Sequence, residues 1–588
     1  MLRSIELKLG PFLRNGLIRS RTLLSRTCAV EHRITSETVK LFGVGLPLGR
    51  PAVGSAKAGS AGRRGYHVRS VTARRRAPAL HLNKTGATLP RSKCMTRFNL
   101  RPVRRAGPTL GLRVFGLVLF GWLFLASALS AKPRNVLLLI SNNHSASDLG
   151  CYGHPYLRTP TLDGLAKRGT RFSHAFTTVA SCGPARAVIY TGLLTHANGQ
   201  FMHAHGYHNG VLGEGVRSVF DLAKAGGYRT ALLGKTHLGS RGGQYEIDLR
   251  DETLWADTPG QAARAAQFIR EGGDKPFVLV LATSEPESVA RRQGGGDRPV
   301  PRVIDPAKVV VPSHLPDRPD VRLALAEYHE LIERLDANYR AVLEMLEQSG
   351  KADSTLVMFF SDQGAGFPNG GYSQYEPGVR VPLIVVHPEA KKRGIVTDAM
   401  ATLADITPTV VAWTGVKPPP YPLHGRSLLG VLEQEKTTGW DSVLLSHVMH
   451  EVTMYYPMRT LRERRYKLIW NLCHREPWRD AGDVIRSDVW LETLKRGDKL
   501  IGKRSIEKYL WRDAVELYDL KTDPDEVVNL ANDPKHAELR RKLSERLLAR
   551  LRQTGDNWLE RFQLPMPGEA EIIGIMSPKG YAPTRAKR

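Results

Sequence analysis

"RNVLLLISNNHS", residues 134–145, is the stretch that decides the fold. A short, continuous apolar run between polar residues is typical of a strand that is buried on both faces of a parallel sheet. Proteins with open α/β sheets bind their ligands at the carboxyl ends of such strands. Asn142 and Asn143 follow the apolar run directly, so we expect them at a functional edge of the sheet.

The chain beyond this strand alternates between helical and strand patterns. Residues 159–176 and 218–239 each have the pattern of an amphipathic helix followed by a strand, and residues 275–286 and 352–364 contain two more buried strands. Residues 320–350 have helical spacing and end in a glycine, a common stop signal. This alternation predicts the α/β class, with a mixed, mostly parallel sheet between helices.

The pattern changes at about residue 425. Residues 442–472 and 514–530 alternate apolar and polar side chains in strand fashion, and an amphipathic helical pattern follows them. We therefore predict two domains. The first is a catalytic α/β domain at 132–424, and the second is a smaller α+β subdomain at 425–588 that contains an antiparallel sheet.

The positive charge of the chain is concentrated at its N-terminal end. The formal net charge is +28, but residues 1–131 hold 24 of the 85 basic residues and 3 of the 57 acidic residues, which leaves about +7 for the remainder. A nucleic-acid-binding protein carries its basic residues on a folded module. The body of the chain has no such cluster, so we expect no nucleic-acid partner.

Two N-terminal segments precede the body. Residues 1–94, of low complexity in their second half, are interpreted as a disordered basic leader or a mispredicted extension. Residues 95–131 have a basic start, an uncharged run at 114–131 and a small-residue site at Ala126–Ala128, the pattern of a signal peptide. A membrane anchor is the alternative, since 18 residues only just span a bilayer. Both interpretations predict export to a periplasmic, extracellular or lumenal location.

The most specific motif is "SCGPAR", residues 181–186, with the pattern C-x-P-x-R at the start of a predicted helix. A nucleophile gains from the positive end of a helix dipole, and Arg186, one turn after Cys182, can hold an anion. Beyond residue 131 the other cysteines are Cys151 and Cys473, and three are too few for a disulfide scaffold. A chemical role is therefore indicated for Cys182, whereas the other two are expected to be plain buried thiols.

With these residues the chain resembles the sulfatases of the alkaline phosphatase superfamily, over about residues 134–560. "GCYG" (150–153), "GKTHLG" (234–239) and "SDQG" (361–364) follow the family's order and approximate spacing. Within the family the chain is most similar to the heparan N-sulfatases, or N-sulfoglucosamine sulfohydrolases. "HEVTMYYPMR" (450–459) carries this similarity, and because it lies outside the catalytic motifs it indicates a subfamily rather than the general fold. The resemblance implies an alkaline phosphatase-like sheet and hydrolysis of an S–N or S–O bond in a sulfated sugar.

The resemblance also implies roles for single residues. Cys182 matches the cysteine that a formylglycine-generating or anaerobic sulfatase-maturating enzyme oxidises to formylglycine, and Arg186 matches its electrostatic partner. Lys235 and His237 match the pair that contacts formylglycine and sulfate, where they can neutralise charge and move a proton. Three residues match the subfamily on the substrate side of the pocket: His447, His450 and Glu451.

The metal site departs from the family pattern. Its predicted ligands are Asn142, Asn143, Asp362 and Gln363, and the family normally has aspartates at both asparagine positions. Calcium takes roughly six to eight oxygen ligands, and its affinity follows the number of charged ones. The resemblance implies a divalent cation, with Ca²⁺ the expected ion, but the substituted ligands predict weak binding or none.

Two more positions in the same pocket differ from the family. Glu287 stands where relatives carry a histidine that assists the leaving group. A carboxyl can act as a general acid only if its pKa rises toward the working pH, and the alternative is an exposed loop residue. Gly371 stands where relatives supply a basic residue to the sulfate, and nearby Arg380 is interpreted as structural. Three departures in one pocket indicate a shifted substrate or lost turnover.

Three functions are consistent with these observations. The leading hypothesis is an exported sulfatase that acts on N-sulfoglucosamine or a sulfate ester, since C-x-P-x-R and "GKTH" are intact. The second is a catalytically impaired carbohydrate-binding homologue. The third is a phosphoester or phosphonate hydrolase of the same superfamily. The sequence predicts neither the sugar nor the oligomeric state.

Overall fold

An eight-stranded mixed sheet forms the larger part of the fold. The computed structural model describes residues 134–206, 208–240, 242–255, 257–287, 303–556 and 558–559. The strands of this sheet are β1 (Asn135–Ser141), β2 (Thr170–Phe176), β3 (Arg229–Gly234), β4 (Leu249–Asp251), β5 (Phe277–Ala282), β6 (Thr355–Ser361), β7 (Leu383–Val386) and β8 (Ile395–Thr402). Their order is β4-β3-β5-β1-β6-β7-β2-β8, and β7 is antiparallel to both of its neighbours. The predicted α/β class with a mixed, mostly parallel sheet is confirmed.

Helices cover both faces of the sheet. The helices are α1 (Pro160–Arg168), α2 (Cys182–Thr191), α3 (Thr195–Asn198), α4 (Val219–Ala225), α5 (Thr258–Gly272), α6 (Pro319–Gln348), α7 (Glu376–Val379), α8 (Ile406–Thr414), α9 (Gly482–Ile485), α10 (Asp488–Arg496), α11 (Ile506–Leu510) and α12 (Ala537–Gln553). Residues of α2, α4 and α8 pack on one face and residues of α1, α5 and α6 on the other. None of the helices within the described residues is long and apolar enough to span a bilayer.

The central strand β1 belongs to both hydrophobic cores. Val136, Leu138 and Ile140 contribute to the core on one face, and Leu137 and Leu139 to the core on the other. Successive side chains of a strand point to opposite faces, so a strand that is buried on both faces needs apolar residues at every position. This requirement explains the uninterrupted apolar run that opens the chain's body.

The register of the parallel strands brings distant segments together at their carboxyl ends. Ser141 at the end of β1 pairs with Ser361 at the end of β6, and Gly234 at the end of β3 pairs with Ala282 at the end of β5. Strands β1 and β5 are themselves parallel neighbours. The residues that follow these four strands therefore meet at one edge of the sheet.

Gly234 permits the turn at the end of β3. Its φ is +95°, a backbone conformation that residues with a side chain rarely adopt, and a Cβ there would collide with the carbonyl oxygen of Ala282. The glycine lets the chain turn so that the N–H of Lys235 donates to the same carbonyl at 2.7 Å. The first residue of the "GKTH" motif thus fixes where Lys235 lies.

A second, antiparallel sheet follows in the chain. The remaining strands are β9 (Ser442–His447), β10 (Met458–Glu463), β11 (Tyr466–Asn471), β12 (Leu500–Ile501), β13 (Arg504–Ser505) and β14 (Val515–Asp519). The second sheet has the order β14-β11-β10-β9, and β12 and β13 form a separate two-stranded sheet. Leucines of α12 pack against the second sheet in their own cluster. The predicted smaller antiparallel sheet is confirmed.

The predicted domain boundary at residue 424 lies between β8 and β9, and it stays a prediction. The predicted leader at 1–94 and the signal or anchor segment at 95–131 lie outside the described residues.

A buried lysine joins the second sheet to the segment that follows β6. Nζ of Lys467, on β11, lies 2.7 Å from a carboxylate oxygen of Glu376 and 2.7 Å from one of Glu526. It also donates to the carbonyl of Gln374 at 3.0 Å. Burial opposes the charge of Glu376, but Lys467 and Arg462 hold its pKa below the ordinary value. The ammonium group therefore fixes the segment that follows the "SDQG" motif to the second sheet.

We expect Lys467→Met to lower the free energy of unfolding by about 3–5 kcal/mol, because removal of one member of a buried ion pair leaves the other uncompensated. Lys436→Met is the matched control, since Lys436 pairs with Asp398 at 3.6 Å while its side chain is 88% exposed. Denaturant unfolding of both variants measures the difference. Equal losses in the two variants would contradict the role given to Lys467.

Candidate active site

A buried arginine organises the carboxyl edge of the first sheet. Nη2 of Arg186 donates to Oδ2 of Asp362 at 2.8 Å and to Oδ1 of Asn142 at 3.3 Å. Nη1 donates to the carbonyl of Lys235 at 3.0 Å. Burial raises the pKa of Asp362, whereas the Arg186 and Lys235 charges oppose that rise. One guanidinium from α2 thus contacts the residues that follow β1, β3 and β6.

Lys235 adds a second buried positive charge beside Cys182. Its Nζ lies 2.9 Å from Oδ1 of Asn142, 2.8 Å from Oε2 of Glu287 and 3.8 Å from Sγ of Cys182. Burial opposes this charge, but the nearby Glu287 carboxylate favours it, and the pKa of Lys235 lies above its ordinary value. The side chain is therefore an ammonium at neutral pH.

Cys182 is the first residue of α2, and its side chain is surrounded by polar groups. Its Sγ lies 3.3 Å from Nε2 of Gln363 and 3.9 Å from Oδ1 of Asn143, in addition to the Lys235 contact. Burial raises the pKa of the Cys182 thiol far above its ordinary value, so it is not a thiolate nucleophile. Hydrogen-bond donors such as Gln363 and Lys235 suit an oxygen-bearing side chain better than sulfur, a weak acceptor. The surroundings of Cys182 therefore fit formylglycine.

His237 lies next to a group of other histidines. Its backbone φ is +50°, an uncommon value for a residue with a side chain, and its Nδ1 is buried without a hydrogen-bond partner among the described residues. Its ring centre lies 4.9 Å from that of His203 and 4.8 Å from that of His205. Burial, together with the Lys235 and Arg186 charges, lowers the pKa of His237 well below 6.5, so the ring is neutral at neutral pH.

The structure brings one of the three predicted substrate-side residues to this pocket. Nδ1 of His450 lies 2.9 Å from Oγ of Ser181, the residue before Cys182. His447, the last residue of β9, instead packs against Trp478, with a ring-centre distance of 5.5 Å, and its ring is fully buried. Glu451 is partly buried in a turn, where its carbonyl accepts from the N–H of Met454.

Sequence reasoning missed the histidines of "HAHGYH", residues 203–208. His203 connects to the site through Nε2, which lies 3.0 Å from Nε2 of His450. Three histidines within six residues, in the spacing H-x-H-x-x-H, were the signal that could have identified this segment. Tyr372 was also missed; its hydroxyl accepts from Nδ2 of Asn143 at 3.3 Å.

Comparison with known proteins agrees with this geometry. Residues 134–416 match the Sulfatase family, and residues 372–480 match the family "N-sulphoglucosamine sulphohydrolase, C-terminal". Human N-sulphoglucosamine sulphohydrolase is 34% identical over 469 residues, which cover 73% of this chain and 92% of the human protein. The chain belongs to the sulfatase family. It is a sulfuric ester or sulfamate hydrolase by family, as the sequence predicted.

Other sulfatases are similar over the same part of the chain. The ulvan-active sulfatase of Formosa agariphila is 26% identical and matches 77% of this chain and 85% of its own. A solved structure in complex with its substrate D-glucosamine-2-N,6-O-disulfate has a TM-score of 0.55 at 20% identity, over 72% of this sulfatase and 99% of that chain. The phosphonate monoester hydrolase of Agrobacterium radiobacter has a TM-score of 0.55 at 19% identity, over 72% and 96%. The alkaline phosphatase-like fold is confirmed.

Sulfatases of this family generally use a divalent cation, and the four residues expected to hold it do not fit one. We call Asn142, Asn143, Asp362 and Gln363 the amide cup. Its only carboxylate is already paired with Arg186, and its asparagine oxygens already accept from Lys235 at 2.9 Å and from Gln363 at 2.6 Å. The charges of Arg186 and Lys235 balance those of Asp362 and Glu287, so a hard cation would find no net negative charge here. The ammonium of Lys235 supplies the positive charge instead.

The other two departures from the family have structural explanations. The side chain of Glu287 is only 10% exposed and pairs with Lys235, so the exposed-loop alternative is wrong. A Cβ on Gly371 would lie 2.9 Å from Cα of Gly366, so this backbone has no room for a basic side chain. Arg380 donates from Nη2 to the carbonyl of Ser173 at 2.8 Å, which agrees with a structural role.

We expect Ca²⁺ to leave the Tm of this sulfatase unchanged and to raise that of the double variant Asn142→Asp, Asn143→Asp. Two added carboxylates supply the missing negative charge, and a ligand at about 100 times its Kd stabilises by roughly 2.7 kcal/mol. Thermal unfolding in EDTA and in Ca²⁺ measures the shift. Asn135→Asp, at the opposite end of β1, is the matched control. A Ca²⁺-dependent Tm in the unmodified protein would contradict the conclusion that the amide cup does not fit Ca²⁺.

Proposed function

We propose that this chain is an exported sulfatase that hydrolyses the sulfate of N-sulfoglucosamine or a related sulfated sugar, through formylglycine made from Cys182. The observation that carries the proposal is the position of Cys182, whose Sγ faces hydrogen-bond donors from Gln363 and Lys235. The names of the human relative and of the matched C-terminal family support the substrate class. The pattern of residues 95–131 supports export.

Formylglycine would supply a hydrated aldehyde as the oxygen nucleophile. Lys235 and Arg186 contribute the positive charge that a sulfate anion and the negative charge developing in its transition state require. Both cations are buried and fixed by hydrogen bonds before substrate binds, so little reorganisation is needed. His237 is neutral at neutral pH and is therefore able to accept or donate a proton next to Lys235.

Glu287 acts in this scheme as an ionised partner of Lys235. An ammonium at 2.8 Å favours the carboxylate form over the acid. A carboxylate positions Lys235 and can accept a proton, whereas the general acid role implied at this position needs the protonated form. We therefore assign Glu287 to the orientation of Lys235.

Modification of Cys182 has to precede folding. The residue is 1% exposed and all ten residues of α2 are buried, so a maturating enzyme cannot reach the thiol in the folded chain. A formylglycine-generating or anaerobic maturating enzyme is accordingly the expected partner of the unfolded chain.

A second function is favoured by the amide cup. If positive charge from Arg186 and Lys235 binds sulfate but does not activate a nucleophile, the chain is a receptor for sulfated sugars. Binding without turnover distinguishes this function from the first.

We expect Lys235→Met to lower kcat for sulfate release by about 100- to 1,000-fold, the loss typical of one preorganised charge or donor at a transition state. Lys224→Met is the matched control, since Lys224 pairs with Asp248 and its side chain is 42% exposed. Released sulfate is measured with N-sulfoglucosamine, a sugar sulfate ester and a phosphonate monoester, on protein whose Cys182 peptide shows the aldehyde by mass spectrometry. Binding without release on all three substrates would support the receptor function instead.

We expect Glu287→Gln to lower kcat/KM roughly 10- to 100-fold, as for loss of a hydrogen bond to a charged group. The loss should be equal for a sugar sulfamate and for 4-nitrophenyl sulfate, because a positioning residue acts on both alike. A loss confined to the sulfamate, which has the poorer leaving group, would show general acid catalysis by Glu287.

A further inference from the structure

Five histidine rings form a continuous cluster beside the Cys182 pocket. The closest ring centres are 4.0 Å apart for His203 and His450, 4.6 Å for His203 and His205, and 4.8 Å for His205 and His237. We call these rings, together with His208, the histidine cluster. Sulfate binding by Arg186 and Lys235 and proton transfer by His237 do not require so many imidazoles in one place.

Three members of the histidine cluster have the geometry of a metal site. One ring nitrogen from each of His203, His205 and His237 lies within 4.8 Å of the other two. Zinc binds imidazole nitrogens at about 2.0–2.1 Å in tetrahedral sites, which places its ligand atoms ~3.4 Å apart. The nitrogens therefore have to approach one another by at most about 1.4 Å.

The hydrogen bonds around His203 leave a nitrogen for a metal. Its Nε2 pairs with Nε2 of His450, and Nδ1 of His450 pairs with Oγ of Ser181. If His203 donates to His450, and His450 donates to Ser181, then Nδ1 of His203 carries a lone pair. That Nδ1 is buried without a hydrogen-bond partner among the described residues, as is Nδ1 of His237. Metal-ligating histidines typically donate their other N–H to a neighbour in this way.

The surroundings hold the His203 ring in place. His203 is only 5% exposed, and its ring centre lies 5.9 Å from that of His208. Gly183, next to Cys182, makes room for the ring, since a Cβ there would lie 3.2 Å from Nδ1 of His203. The segment around Gly183 thus leaves room for the imidazole of His203.

A second group of possible ligands is less suitable. Asp148, His154 and His329 lie together at a cavity of about 420 Å³. Nδ1 of His154, however, accepts from the N–H of Leu157 at 3.1 Å. A neutral ring that accepts at Nδ1 is protonated at Nε2, so His154 has no second lone pair to offer. The histidine cluster is therefore the better site.

We propose that His203, His205 and His237 bind a transition-metal ion of the Zn²⁺ class, with His450 as the residue that orients His203. Imidazole nitrogens select such ions over Ca²⁺ and Mg²⁺, which prefer oxygen. The site is separate from the amide cup and does not depend on sulfatase activity. Since His237 is also the residue next to the Lys235 charge, an occupied site withdraws His237 from the sulfate and inhibits turnover.

The test is a titration of the metal-free protein with Co²⁺, whose visible absorption reports tetrahedral nitrogen coordination, followed by displacement with Zn²⁺. We expect one ion per chain. His203→Ala and His237→Ala should abolish the absorption, and His450→Phe should weaken binding about 10- to 100-fold, as for an outer-shell partner. His205→Gln changes an exposed residue, so it tests the site without disturbing the core.

His329→Ala is the matched control, because it removes a buried histidine from the alternative group. Unchanged binding in His329→Ala and loss in His205→Gln support the proposal. Loss in His329→Ala with binding kept in His205→Gln, or no 1:1 binding at all, overturns it. Zn²⁺ binding is measured without substrate, so an inactive enzyme leaves this result unaffected.

Discussion

The guanidinium of Arg186 is the interaction on which the site depends. A buried charge is costly unless it is paired and hydrogen-bonded, and Arg186 meets this requirement through Asp362, Asn142 and the Lys235 carbonyl. These three partners follow three different strands, and only the parallel register of the first sheet brings them within reach of one side chain. The geometry of the pocket therefore follows from the pairing of the strands. That pairing depends on β1, whose apolar run allows it to lie at the centre of the sheet.

Much of this arrangement could be predicted from the sequence, because its signals are local. The apolar runs predicted β1, β5 and β6, and the C-x-P-x-R motif predicted the functional start of α2. Contacts between distant segments could not be predicted in this way. His203 and His450 are 247 positions apart, and no sequence pattern near either residue indicates that the two are in contact. His447 shows the reverse, since this histidine matches the subfamily by sequence but packs, fully buried, against Trp478.

Charge balance links two of the three departures from the family pattern. Two asparagines replace the aspartates that the resemblance implies, and a glutamate replaces a histidine. Lys235 contacts two of these three residues, Asn142 at 2.9 Å and Glu287 at 2.8 Å. Glu287 restores one of the two negative charges that the asparagines lack, so the ammonium keeps a neutralising partner. These substitutions form one rearranged electrostatic unit rather than independent losses.

The hydrogen bond between Ser181 and His450 has a consequence for the timing of synthesis. The two residues are 269 positions apart, so the ring that contacts the residue before Cys182 does not yet exist when Cys182 emerges from the ribosome. At roughly 5–20 residues per second, the segment that carries His450 follows about 13–54 s later. During that interval the pocket around Cys182 cannot be complete. The separation of Ser181 and His450 along the chain thus sets how long Cys182 stays accessible during synthesis.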